Sequence, residues 1–184
     1  MGNSLGGLVA LRLALSDPAL VSALVLVDGA GLGRAVNPTF VSVEMPGPAE
    51  AAMPVWRTLP GAYQRAWVRA MLLFARPRRV PRGWLAEQCR LSRSPGYLEA
   101  HVTALRALVG PWGQREVLTD RLPTREMPTL VVWGARDRVF PKSQGEEAAA
   151  RLQRGSLELI PDCAHLPHVE RPELFVAALE GFLG

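Results

Sequence analysis

Apolar residues from Ser4 to Leu15 recur at helical spacing, and Ser16-Asp17-Pro18 ends the pattern because proline cannot continue the backbone ladder. A short helix is therefore predicted directly after the opening residues. Ala23-Leu24-Val25-Leu26-Val27 is a continuous apolar run closed by Asp28-Gly29-Ala30-Gly31, the pattern of a parallel strand buried on both faces. Thr129 to Trp133 before Gly134, and Leu157 to Ile160 before Pro161, predict two more strands. Helices are predicted after them, over Gly145–Leu152 and Pro172–Leu183. Strand and helix thus alternate at both ends of the chain, which defines a doubly wound α/β domain.

The middle, residues 38–115, breaks this rhythm with frequent prolines and amphipathic pieces such as Ala62–Ala75 and Tyr97–Leu108. It reads as a helical insertion, residues 38–115, in a core made of residues 1–37 and 116–184. The charge supports the division: the insertion holds 11 Arg against Glu44, Glu50, Glu87 and Glu99, a net +7, and the remainder nets −3 with 10 cations and 13 acids. Its densest cluster is Arg76, Arg78, Arg79 and Arg82. That potential could steer anionic substrates or simply form a solvated basic face. Four of the five tryptophans also lie there, and some of Trp56, Trp67, Met71, Phe74 and Trp84 are expected to line an apolar pocket.

With 184 residues, 48% of them apolar and 21% charged, the chain can bury the core of one domain with an inserted unit. Its apolar stretches are interrupted well before the roughly 18 residues of a membrane span, so no membrane association is expected. Met1–Leu15 lacks a preceding cationic segment and contains Arg12, so it is not read as an export signal. Gly6 stands where a myristoylation motif needs Ser or Thr. Two cysteines, Cys89 and Cys163, make no disulfide framework, and His101, His165 and His168 have no metal-ligand spacing. The expectation is a cytoplasmic protein without metal or cofactor, acting on a small-molecule substrate. No nucleic-acid motif accompanies the basic charge, and the sequence does not specify an oligomeric state.

Gly2-Asn3-Ser4-Leu5-Gly6 fits G-x-S-x-G, in which small residues let a serine sit on a strained strand-to-helix turn. Because Ser4 opens a helix, its Oγ and the Leu5 N–H sit at a positive helix terminus suited to a developing oxyanion. Trp133-Gly134-Ala135-Arg136-Asp137 places a carboxylate just beyond the C-terminal end of a predicted strand, where open α/β sheets carry functional groups. Cys163-Ala164-His165 does the same for an imidazole before the last helix. Taken singly, Asp137 is as well explained as a turn residue and His165 as polar surface. Together they follow Ser4 in the chain order Ser, Asp, His used by one large class of hydrolases.

On GNSLGG, LVVWGARDRVFP and AHLPHVERPELF the chain resembles the α/β-hydrolase superfamily, with a partial fold beginning at the nucleophile elbow. The resemblance implies a Ser4–His165–Asp137 triad with Leu5 N–H as an oxyanion donor, no metal or cofactor, and residues 38–115 as a lid. His168 is the rival base, but Ala164, Glu170 and Pro172 fit the family pattern around His165. Asp28 also follows a strand at a position some members use for the acid; the WGxxD pattern favours Asp137. His101, four residues from Tyr97 and from Leu105, reads as a core or pocket-lining histidine. Family members carry further strands and an oxyanion loop before the elbow, so the N-terminal strands are expected to be missing and the chain to be a C-terminal part. The implied chemistry is hydrolysis of an ester or similar carbonyl compound. The meta-cleavage product hydrolases, which cut carbon–carbon bonds, have a similar elbow but a Trp where Leu166 stands; a non-catalytic fragment is the other alternative.

Overall fold

The computed structural model describes residues 1–124 and 126–184. The first strand, β1 (Gly2–Asn3), runs into α1 (Leu5–Ser16), which Pro18 ends as its sequence requires, and β2 (Leu24–Val27) follows. Five helices come next: α2 (Pro38–Glu44), α3 (Pro48–Trp56), α4 (Leu59–Leu73), α5 (Arg82–Ser92) and α6 (Tyr97–Leu108). A small hairpin, β3 (Val109–Gly110) and β4 (Gly113–Gln114), leads back to β5 (Thr129–Gly134), α7 (Lys142–Arg151), β6 (Gly155–Ile160), α8 (Pro167–Glu170) and α9 (Pro172–Leu183).

The main sheet has the order β1-β2-β5-β6 with every pairing parallel. No strand was predicted before the elbow, yet Gly2 and Asn3 pair with Leu26 and Val27. Two residues carry too little pattern to read as a strand; their long-range pairing makes them one. Because residues alternate across a strand, Leu24, Leu26, Val131 and Trp133 join the core that includes Leu8, Leu11 and Ala148 of α1 and α7. Val25, Val27, Leu130 and Val132 pack on the other side against Phe175 of α9. This two-sided burial is the reason the strands read as unbroken apolar runs. Among the described residues no helix is long and apolar enough to cross a membrane.

Candidate active site

Parallel strands put all their C-terminal ends on one edge, and there the chain gathers its candidate groups. Ser4 follows β1, Asp28 follows β2, Asp137 follows β5 and His165 follows β6.

Ser4 has φ 54° and ψ −122°, a conformation that costs a non-glycine residue about 1–3 kcal/mol unless its surroundings impose it. Here they do. Ser4 N–H donates to the Val27 carbonyl at 3.0 Å, and the Ser4 carbonyl accepts from Gly7, Leu8 and Ala30 N–H at 2.9–3.3 Å. The flanking glycines are not equivalent. A Cβ on Gly2 would stand 2.0 Å from the Gly6 carbonyl oxygen, and one on Gly7 2.9 Å from Gly29 Cα, whereas a Cβ on Gly6 would meet nothing within 4 Å. Gly2→Ala is therefore expected to lower stability by about 1–3 kcal/mol, as overpacking against backbone does, and Gly6→Ala to be tolerated. Equal chemical melting midpoints for the two variants would refute this account of the turn.

His165 is 3% exposed, and its Nδ1 stands 2.9 Å from Asp137 Oδ2. An ionised carboxylate only accepts, so Nδ1 carries the proton and Nε2 is left as an acceptor. Asp137 is oriented in turn: its Oδ1 accepts from Val139 N–H at 2.7 Å and Phe140 N–H at 3.4 Å. The His165 loop is held from three sides. Asn3 Nδ2 donates to the His165 carbonyl at 3.1 Å, His165 N–H donates to the Leu73 carbonyl at 3.1 Å, and Glu170 accepts from Ala164 and Ala75 N–H.

Ser4, Leu5 and His165 line one cavity of about 360 Å³. Among the described residues Ser4 Oγ makes no hydrogen bond, to His165 or to any other group. The Leu5 N–H, first of its helix, has no acceptor among them either, as the opening amides of a helix do not. His168 makes a ring contact with Phe175 and lies outside the cavity lining.

Asp28 adds a second buried carboxyl group. Its Oδ1 accepts from Gly134 N–H at 2.9 Å, and its Oδ2 is buried without a donor. Burial, and next the neighbouring Asp137 carboxylate, push the Asp28 carboxyl well above the usual range. A proton on Oδ2 turns the orphaned oxygen into a donor toward Asp137. Asp28, Asp137 and His165 offer ligating atoms within 4.8 Å of one another, but a cation there would have to displace the backbone and imidazole bonds just described. A carboxyl with a raised folded-state pKa is at no disadvantage below the unfolded value near 3.9 and destabilises the fold increasingly as pH rises toward the raised value. Asp28→Asn, which keeps the acceptor for Gly134, should therefore leave stability unchanged near pH 4 and raise it at pH 7. Melting curves at the two pH values decide this, and a variant less stable at pH 7 would show Asp28 to be ionised.

Of the aromatics expected in the pocket, Trp56 lines it. Phe74 and Trp84 instead pack edge to face at 4.9 Å, and Trp67 meets Tyr63 the same way, so these rings and Met71 stand outside the lining. The basic cluster is also elsewhere: Arg76 pairs with Asp162 at 2.9 Å, and Arg78, Arg79 and Arg82 are exposed. The arginines that do line the cavity are Arg65 and Arg69, with His101 beside them. They went unmarked in the sequence, although Gly61, Arg65, Arg69 and Leu73 recur every four residues and place Arg65 on the buried stripe of α4, with the half-buried Arg69 one turn further along it.

The chain belongs to the alpha/beta hydrolase family, whose model matches residues 1–178. It is 29% identical over 186 residues to the dihydrolipoyllysine-residue acetyltransferase component of the acetoin cleaving system of Cupriavidus necator, covering 100% of this chain and 45% of that one. It is 30% identical over 190 residues to the 2-hydroxymuconate semialdehyde hydrolase of Pseudomonas putida, covering 100% of this chain and 61% of that one. A solved thermophilic esterase from Thermogutta terrifontis superposes with a TM-score of 0.71 at 26% identity, over 99% of this chain and 62% of the esterase. The chain spans about half the length of the curated relatives it matches, 45% and 54% for the first of them.

Proposed function

We propose that Ser4, His165 and Asp137 form a catalytic triad that hydrolyses an ester, or another activated carbonyl compound, through an acyl-enzyme. The observation that carries this reading is the serine on a strained strand-to-helix turn, in one cavity with an imidazole whose Nδ1 is bonded to a buried carboxylate. His165 Nε2 takes the Ser4 proton as Oγ attacks the carbonyl carbon, and the Leu5 N–H donates to the oxyanion. The imidazolium then protonates the leaving alcohol. Water, deprotonated by the same nitrogen, attacks the acyl-enzyme and releases the acid. The absent Ser4–His165 bond fits this scheme, because such bonds often tighten only with substrate bound. Helices α2 to α6, in residues 38–115, serve as a lid that supplies much of the cavity wall.

A second reading, cleavage of a carbon–carbon bond, draws on the 2-hydroxymuconate semialdehyde hydrolase among the relatives. Leu166, in place of the Trp expected after the histidine of such enzymes, weighs against it. The test is a fluorophosphonate probe, which reacts only with an activated serine. Labelling of the peptide that contains Ser4, abolished in Ser4→Ala, is the expected result. A folded wild-type chain that takes no label would overturn the triad.

A further inference from the structure

We propose that Arg65 and Arg69 form a carboxylate-binding subsite within the cavity lined by Ser4 and His165, so that the preferred substrate carries a carboxylate in addition to its reacting carbonyl. This deepens the proposed hydrolase reading, since it takes that cavity as the place where substrate binds.

Three arginines of the same helical unit meet carboxylates: Arg57 with Glu99, Arg90 with Glu87, and Arg106 with Glu50. Arg65 and Arg69 have no carboxylate partner among the described residues. Arg65 is 7% exposed; its Nη1 donates to Ser92 Oγ at 2.9 Å, and its guanidinium lies 5.7 Å from the ring centres of both Trp56 and Tyr97. Arg69 Nη1 donates to His101 Nε2 at 2.9 Å, and its Nε–H is buried with no acceptor. Each contact is to a neutral group. Cation–π contacts and hydroxyl bonds soften the loss of water around two guanidinium groups but supply no counter-charge.

The neighbouring titratable groups cannot supply one either. His101 stacks on Tyr97 with ring centres 5.9 Å apart, and burial, then Arg69 and Arg65, press its pKa down to about 3. It is neutral, and accepts from Arg69. Burial first, and Arg65 second, lower Arg69 to about 10, so it keeps its charge at neutral pH. The site thus holds two like charges and an unused N–H at the wall of an open cavity. An anion there would satisfy all three.

The guanidinium fork matches a planar carboxylate. The surrounding wall of Leu72, Leu98, Val102 and Leu108 suits an apolar body attached to that carboxylate rather than a bare inorganic ion.

Binding to the whole 184-residue chain tests this independently of catalysis. Isothermal titration at pH 7 with hexanoate and with hexanamide, equal in shape and different in charge, should show hexanoate bound about 10- to 100-fold more tightly, the ratio expected of charge-assisted hydrogen bonds. Arg69→Met or Arg65→Met should erase the difference, and Arg79→Met, outside the cavity, should preserve it. The wild-type comparison needs no variant, so a substitution that fails to fold leaves the test standing. Equal affinity for the acid and the amide would overturn the proposal. So would inorganic phosphate or chloride binding as tightly as hexanoate, which would make this a structural anion site. If hexanoate binds and the fluorophosphonate does not label Ser4, the subsite stands and the triad falls.

Discussion

Asp137→Asn should lower the turnover of a small ester such as p-nitrophenyl butyrate by about 10⁴-fold while leaving the fold intact, the scale on which loss of the correct histidine tautomer acts. The cause is directional. Val139 and Phe140 N–H groups both point at Asp137 Oδ1 and hold an oxygen there, so an asparagine would turn its NH₂ toward His165. An N–H donor facing Nδ1 forces the imidazole proton onto Nε2, which then cannot accept from Ser4. Asp28→Asn makes no such change at Nδ1 and should stay near the wild-type rate. Turnover of Asp137→Asn within tenfold of wild type would remove Asp137 from the triad.

The largest loss of stability is expected from Trp133→Ala, about 3–5 kcal/mol, the usual range for truncating a large core aromatic. Trp133 is 0% exposed at the end of β5, with its Nε1 3.5 Å from the Phe140 carbonyl. Gly145 of α7 lies so close that a Cβ there would stand 2.5 Å from the indole, and having no side chain it cannot fill the space the indole leaves. In a chain of this size the melting temperature should fall by roughly 6–20 °C. Denaturant unfolding followed by circular dichroism measures the effect directly; a loss under about 1 kcal/mol would show that the strand can collapse around the gap.

What was legible in the sequence was local. The runs Ala23–Val27 and Thr129–Trp133, the stop at Pro18 and the start at Pro172 each carry their own signal, and β2, β5, α1 and α9 fall on them. Asp137 and His165 were legible because each follows an apolar run, and Ser4 because it sits in a G-x-S-x-G motif that opens a helix. The supports of the site were not. Asn3 reaches the Val27 and His165 carbonyls across 24 and 162 residues of chain, and no pattern beside Asn3 announces that. Nor does the motif reveal that Gly2 is crowded and Gly6 is in open space. Arg65 and Arg69 were hidden by charge itself: they are two of 21 cations and nothing in their type sets them apart, although their spacing matches the buried Gly61 and Leu73. Periodicity was the better guide, because position on a helix face decides burial before side-chain type does.

The last turn of α4 cannot bond its own carbonyls, and loops of the site complete it. The Leu73 carbonyl accepts from His165 N–H, and Arg138, next to Asp137, donates to the Met71 carbonyl at 2.7 Å. One bond, from His165 N–H to the Leu73 carbonyl, thus both caps the helix and seats the histidine backbone. Arg65 and Arg69 ride on that helix, so the contact that ends it at the His165 loop also fixes where the two cavity arginines stand relative to the imidazole.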